Sequence, residues 1–142
     1  LREQSKEKEN LKVVDYGALV KEREALEVLT LVVGNYKKMT NDPQMQAFYK
    51  VIYSERCVQS LAAQIISEET EKMILTTKQL FYAMQIHNRL HFDNPDMSAT
   101  TFAMTIHGLM DWEMDRKMAG NEETKTQIQE YLEWFCKENQ VH

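Results

Sequence analysis

The stretch HFDNPDMSATTFAMTIHGLMDWEM, residues 91–114, decides how this chain folds. A short polar link that contains Pro95 runs into a segment with the apolar spacing of a helix. One face of that helix carries Ala99, Phe102, Ala103, Ile106 and Met110. Further apolar side chains lie off that face, at Met104, Leu109, Trp112 and Met118. A helix on the surface of a monomer is apolar along one stripe only. This wide apolar surface predicts a second partner for the helix, and Gly108 would let that partner approach closely.

The composition favours a small number of long helices. The 142 residues fit one domain with its own hydrophobic core. Only 4 glycines and 2 prolines are available for turns. We therefore predict an all-α fold, a single helical bundle of about five to six helices that spans residues 1–142.

Helical periodicity places these helices along the chain. The charged residues 1–12 are predicted to be a frayed start. Helix is predicted from Val13 onward, with a break between two helices at Gly17. The following helices are predicted over residues 43–57, 60–88, about 96–118 and 122–139. The signals for their ends are Asp42 and Pro43, Asn88, Asp96 or Ser98, Gly120 and Asn121.

Charge and cysteine content restrict the classes of function. The formal net charge is −5, so we expect no nucleic-acid binding by this chain itself. Cys57 and Cys136 lie far apart, without metal-type spacing, and predict reduced thiols in a cytoplasmic protein. No apolar run approaches the roughly 18 residues of a membrane span, which predicts no membrane partner. The chain begins at Leu1 rather than Met, and we expect it to be a fragment of a longer protein.

No motif in the sequence predicts an enzyme, a cofactor or a metal site. The chain has no Gly-rich phosphate loop, no Cys-x-x-Cys, no nucleophile elbow and no Glu-x-x-His pair. His87 and His91 have a spacing that can hold a metal ion on a helix. Asn88 is predicted to end the helix between them, and no third ligand is placed by the sequence. His107 has three interpretations: a hydrogen-bonded histidine at a packing interface, a ligand contact, or a catalytic base, for which the sequence places no nucleophile or partner acid nearby.

The 9 methionines also have two interpretations. Methionine fills irregular gaps in a core, and it also lines pockets that repack around varied ligands. On the second interpretation, the middle helices and the inner face of the 96–118 helix enclose a pocket for a small, largely apolar ligand. The same side chains could instead simply fill the core. The predicted ligand-binding residues are Tyr49, Ile52, Tyr53, Glu55, Phe81, Met84, Phe102, Ile106 and His107.

The last two helices predict a homodimer. The final helix, like the 96–118 helix, is apolar over too much of its surface for a monomer. Burial of such helices near the end of a chain often comes from a second subunit. We therefore predict a two-fold, four-helix interface between two copies. The residues predicted at or near this interface are Gly108, Trp112, Tyr131, Trp134 and Phe135.

The order of several short motifs resembles the C-terminal region of tetracycline-repressor (TetR) family transcription regulators. Asn88-Arg89-Leu90 is similar to the Gly-x-Leu that this family carries near the end of a long helix, with Asn in place of Gly. Asp93-Asn94-Pro95 is similar to the Asp-Pro link, with one residue inserted. The helix that follows matches at Ala99, Phe102, Gly108 and Leu109. Upstream, residues 41–57 resemble the helix that comes before the long helix in this family, and Glu55 matches a Glu near its end. The resemblance runs from about Arg23 to the end.

The resemblance implies an all-helical core that binds a small effector and dimerises. In that family the DNA is bound by an N-terminal helix-turn-helix unit, and this sequence has no such unit. DNA binding would therefore require an N-terminal domain that this sequence lacks, and ligand binding would alter the spacing of two such domains in a repressor dimer. The alternative from another class is an all-helical adaptor that binds a partner helix through a Met-rich face and has no small-molecule pocket.

Overall fold

Six helices make up the part of the chain that the computed structural model describes, residues 16–121 and 127–141. They are α1 (Tyr16–Glu22), α2 (Ala25–Thr40), α3 (Pro43–Glu55), α4 (Ser60–Ile86), α5 (Pro95–Met118) and α6 (Gln127–Glu138). Within these described residues there is no β-strand. The predicted all-α class and the predicted number of helices are confirmed. The predicted frayed start at residues 1–12 lies outside the described residues.

Helix α4 is the centre of the bundle. Helices α1, α3 and α5 all pack against it, while α6 lies against α2 and α5. Phe81 of α4 is fully buried and stacks on Phe92 of the α4–α5 link, with ring centroids 4.5 Å apart. Phe102 of α5 and Phe135 of α6 complete the aromatic cluster, 5.2 Å and 5.5 Å from the Phe81 ring. The predicted apolar face of α5, from Ala99 to Met110, is therefore buried against α4 and α6.

The α4–α5 link is held by two local devices. Asn88 has φ 55°, the left-handed conformation predicted for it, and α4 ends just before it at Ile86. Asn94 caps α5, because its side-chain oxygen accepts a hydrogen bond from the Met97 amide at 3.1 Å. The prediction of Asp96 or Ser98 as this cap is wrong. Because Pro95 is the first helical residue, the capping position is the residue directly before it, Asn94.

Two further predictions about helix ends have different outcomes. Gly120 has φ 87° just after α5, which confirms the predicted C-terminal cap. Asn121, the predicted cap of the last helix, precedes residues 122–126, which lie outside the described residues, so that prediction is left as it stands. Because a left-handed backbone favours glycine, a side chain at position 120 would strain the end of α5.

Gly17, where the sequence predicts a break, is the second residue of α1, and the residues before Tyr16, with the predicted helix start at Val13, lie outside the described residues. The break between α1 and α2 lies at Arg23 and Glu24. Its cause is a residue far away in the sequence. Arg89, at the end of α4, donates hydrogen bonds to the carbonyl oxygens of Val20 and Lys21, both at 2.8 Å. Carbonyl groups in the last turn of a helix have no partner within the helix. The Arg89 guanidinium supplies one, which ends α1 and ties it to α4.

Candidate functional site

A cavity of about 230 Å³ lies among α2, α3, α4 and α5. Each helix contributes residues three or four positions apart, so that one stripe of each helix faces the cavity. On α4 this stripe runs from Ile66 to Met73, and on α5 it runs from His107 to Met114. The cavity and the phenylalanine cluster use different stretches of the same two long helices, 66–73 and 107–114 for the cavity and Phe81 and Phe102 for the cluster. Between these stretches of the four helices, the side chains of the bundle leave the space unfilled.

Methionine supplies most of the apolar lining. The lining methionines are Met39, Met45, Met73, Met110 and Met114, which makes five of the nine methionines in the chain. Met110 is buried at the inner end, whereas Met39 and Met114 are 46% and 39% exposed. The cavity is therefore open to solvent on one side. Unbranched thioether side chains can repack around ligands of different shape at modest cost.

Three tyrosines form the aromatic part of the lining. Tyr36 comes from α2, and Tyr49 and Tyr53 come from α3, with the ring centroids of the last two 6.2 Å apart. Burial is the main cause that raises the pKa of Tyr36 to about 12, and the nearby Tyr53, Tyr49, Glu69 and Asp111 contribute to the same shift. The Tyr36 hydroxyl therefore stays protonated even in strongly alkaline solution, and a protonated phenol can donate a hydrogen bond to a ligand.

Two carboxylates also face the cavity, one from each of the long helices. Asp111 of α5 lies 3.4 Å from the Nε2 atom of His107, one turn earlier on the same helix. Glu69 of α4 lies 3.9 Å from Lys72, with both side chains about half exposed. Lys50 of α3 is the lysine among the lining residues, and its side chain is exposed. The site is thus apolar and aromatic with a few polar groups, the usual make-up of a small-molecule site.

The structure brings together three of the nine residues predicted to bind a ligand. Tyr49, Tyr53 and His107 line the cavity. Ile52 and Glu55 lie on α3 outside its lining, where Ile52 is half-buried and Glu55 is exposed.

The remaining four predicted residues belong to the core. Phe81 and Met84 are fully buried, and Phe102 and Ile106 are 4% exposed. They do not line the cavity. Their placement fits the competing explanation, in which these side chains fill the bundle. On α4 and α5, the large apolar face lies in the core, and a second, mixed face lies along the cavity.

That second face is the signal that sequence reasoning missed. Ile66, Glu69, Thr70 and Met73 recur at helical spacing on α4. On α5 the same spacing joins His107, Met110, Asp111 and Met114. Each set mixes methionine with polar residues, so neither set forms an apolar stripe in the sequence. Such a mixed stripe, in a helix that already has a complete apolar face, is the pattern that could have identified the cavity.

The residues predicted for a dimer interface divide into two groups. Trp112 and Trp134 are 48% and 56% exposed, and Gly108 is exposed as well. Tyr131 is half-buried and stacks on Trp134, with ring centroids 6.0 Å apart. Phe135 is buried in the phenylalanine cluster of its own chain. Gly108, Trp112 and Trp134 therefore lie on exposed surface of α5 and α6, whereas Phe135 belongs to the core of its own chain.

Neither a metal site in the described residues nor a related protein indicates a function for this chain. Within residues 16–121 and 127–141, no three His, Cys, Asp or Glu side chains are grouped closely enough to hold a metal ion. Within the same ranges, no helix has the length and apolar character needed to cross a membrane. Comparison with protein families, curated proteins and solved structures finds no match to this chain. The functional argument therefore rests on the residues themselves.

Proposed function

We propose that this chain is the regulatory core of a TetR-like transcription regulator, which senses a small, largely apolar ligand and dimerises in the cytoplasm. The observation that carries the proposal is the methionine- and tyrosine-lined cavity among four helices. The lining combines an apolar and aromatic surface with a few polar groups, and the role we propose for it is therefore ligand binding. DNA binding would belong to an N-terminal unit, in keeping with the net charge of −5.

The size of the cavity sets the size of the ligand. Its volume of about 230 Å³ exceeds the roughly 150 Å³ of a protein cavity that binds benzene. It is slightly below the roughly 300 Å³ at which sites for drug-sized compounds begin. A compound with one or two rings therefore fits, with some room gained by movement of the exposed methionines.

The proposed signal runs from the cavity through α4 to the N-terminal side. Helix α4 lines the cavity near its middle, with Glu69 and Met73, and carries Arg89 just beyond its end. Arg89 holds the carbonyl groups of Val20 and Lys21 in α1. A ligand that favours one position of α4 would thereby favour one position of α1, and of whatever precedes it. The ligand acts by its different affinity for the two arrangements.

Thermal melts with a panel of one- and two-ring aromatic compounds, cationic, neutral and anionic, test this proposal. A ligand at 100 times its Kd stabilises the folded state by about 2.7 kcal/mol. For a domain of this length that raises the Tm by roughly 8–10 °C. Thr70→Trp, which fills the cavity, should abolish the shift. Thr76→Trp, on an exposed position of the same helix, should preserve it. A panel in which no compound raises the Tm of the wild-type chain contradicts the proposal.

Dimerisation through α5 and α6 makes a separate prediction at Gly108. Beyond the adjacent residues and backbone of its own helix, an added Cβ at Gly108 would meet no described atom within 4 Å, so packing within the chain does not require glycine there. Gly108→Ala should stabilise the isolated helix by about 0.5–1 kcal/mol. In a closely packed dimer the same methyl group should weaken association by about 1–3 kcal/mol.

Gly34→Ala is the matched control for this substitution. Gly34 is also exposed, within α2, and an added Cβ there also meets nothing of the described residues within 4 Å. It should increase stability by a similar amount and leave association unchanged. Sedimentation equilibrium at micromolar concentration measures the difference. A monomeric wild-type chain, or equal association of the two variants, would contradict the proposed interface.

The adaptor remains the second candidate because the outer methionines of the cavity are exposed. Met39, Met45 and Met114 could contact the apolar face of a partner helix. An adaptor of this kind would show no Tm increase with any small aromatic compound. It would instead respond to an amphipathic peptide, and Thr70→Trp would affect it little, because the peptide would lie over the cavity.

A further inference from the structure

We propose that the ligand is a lipophilic cation, an organic ammonium compound with an aromatic or branched alkyl body. This inference rests on the proposed function, because it names the chemical class that the same cavity takes. The carboxylates of Glu69 and Asp111 and the rings of Tyr36, Tyr49 and Tyr53 lie around one methionine-lined space. Carboxylates, aromatic faces and soft apolar side chains together favour a positive charge on an apolar body.

The two carboxylates act on the same part of the cavity although they come from different helices. Glu69 belongs to α4 and Asp111 to α5. Burial is the main cause of the raised pKa of both Tyr36 and Tyr53, and the charges of Glu69 and Asp111 contribute to both. Both carboxylates therefore add negative charge around these two hydroxyl groups, while Arg56 acts in the opposite direction on the pKa of Tyr53. A bound cation would experience the same charges as attraction.

The tyrosine rings are placed to contact a cation as well. The guanidinium carbon of Arg56 already lies 5.7 Å from the centroid of the Tyr53 ring, within cation–π distance. Arg56 follows the end of α3 and is not part of the cavity lining. The contact shows that a positive group can lie on this ring, and that Arg56 already does so on one face.

The positive groups near the cavity are less well placed to receive an anion. Lys50 is exposed, and Lys72 is 3.9 Å from Glu69. His107 lies 3.4 Å from Asp111. An anionic ligand would have to lie beside both Glu69 and Asp111, with Lys50 in the lining and Arg56 on the Tyr53 ring as the opposing charges. A neutral apolar ligand would gain nothing from either carboxylate.

Three compounds of similar shape test the charge. Phenyltrimethylammonium is the cation, tert-butylbenzene is its neutral isostere, and benzenesulfonate is the anion. Dissociation constants are measured by ligand-detected NMR in sealed tubes. We expect the cation to bind about tenfold more tightly than the neutral compound, a difference of about 1.4 kcal/mol. The anion should bind more weakly than both.

Paired substitutions assign this preference to the cavity. Glu69→Gln with Asp111→Asn should reduce the cation's tenfold advantage to about twofold or less. Glu71→Gln with Asp115→Asn removes the same charges from the same helices at exposed positions outside the lining, and should preserve it. Lys50→Met should strengthen cation binding, and it keeps the inference testable should the cavity pair impair folding.

The outcomes separate this inference from the proposed function. Equal binding of the cation and the neutral compound, or preference for the anion, overturns the cation assignment and leaves a ligand-binding core. A cation advantage that survives the cavity pair also overturns it. Failure of all three compounds to bind overturns the cation assignment, and the thermal panel then decides whether the proposed function falls with it.

Discussion

Phe81→Ala is expected to lower the free energy of unfolding by about 3–5 kcal/mol, more than any other substitution predicted for this chain. Phe81 is fully buried in the C-terminal half of α4. Its ring contacts Phe92, Phe102 and Phe135, which belong to the α4–α5 link, α5 and α6. Removal of the ring leaves a cavity where three parts of the bundle meet. Urea unfolding at fixed protein concentration measures the loss.

Tyr53→Ala is the matched truncation at the cavity. Tyr53 is 37% exposed and faces space that is already empty, so its loss should cost less than about 1 kcal/mol. The comparison distinguishes a pocket-lining aromatic from a core aromatic. A loss at Tyr53 as large as that at Phe81 would mean that the cavity is filled core, and would contradict the assignment of the site.

Arg89→Met should be the second largest loss, about 2–3 kcal/mol, because hydrogen bonds from a charged donor contribute more than neutral ones. Arg89 donates to two carbonyl groups of α1 at 2.8 Å and lies 3.3 Å from Glu24. Methionine keeps much of the apolar stem and removes all of these contacts. Urea unfolding measures this loss. Hydrogen exchange should also show that the substitution speeds the opening of α1, relative to the wild type, more than it speeds the opening of α5.

Arg23→Met provides the control for the loss of one arginine. Arg23 pairs with Glu27 on the surface, at 2.6 Å, with both side chains about half exposed. Exposed pairs of this kind contribute about 0.2–1 kcal/mol, and this variant should stay within that range. Equal losses at Arg23 and Arg89 would show that Arg89 does not tie α1 to α4.

The fold could be predicted largely from local signals. Apolar periodicity identified the helices, and Asn88 and Gly120 marked two of their ends, because a left-handed residue after a helix is encoded locally. The α1–α2 break could not be placed, since it depends on Arg89, 65 residues or more away in the chain. Periodicity reports no such contact.

The candidate site was harder to predict than the fold. Tyr49 and Tyr53 were identified because they share one face of a helix, and His107 because it is a polar residue beside the apolar face of the 96–118 helix. Phe81 and Met84 occupy stripes as well, but strongly apolar ones, and packing assigns those to the core. An apolar stripe predicts burial without saying whether the neighbour is another side chain or empty space. The total volume of the side chains between four helices decides that, and it emerges only from their packing.

The central claim is that a small ligand occupies the methionine-lined cavity, and the methionine methyl groups can report it directly. The chain is labelled with ¹³C at every methionine methyl group and titrated with the compound of the thermal panel that raises the Tm most. Signals of the lining methionines should move with the titration, namely Met39, Met45, Met73, Met110 and Met114. Signals of the core and surface methionines should stay in place, namely Met84, Met97, Met104 and Met118. Movement confined to this second group, or no movement in either, would contradict the account.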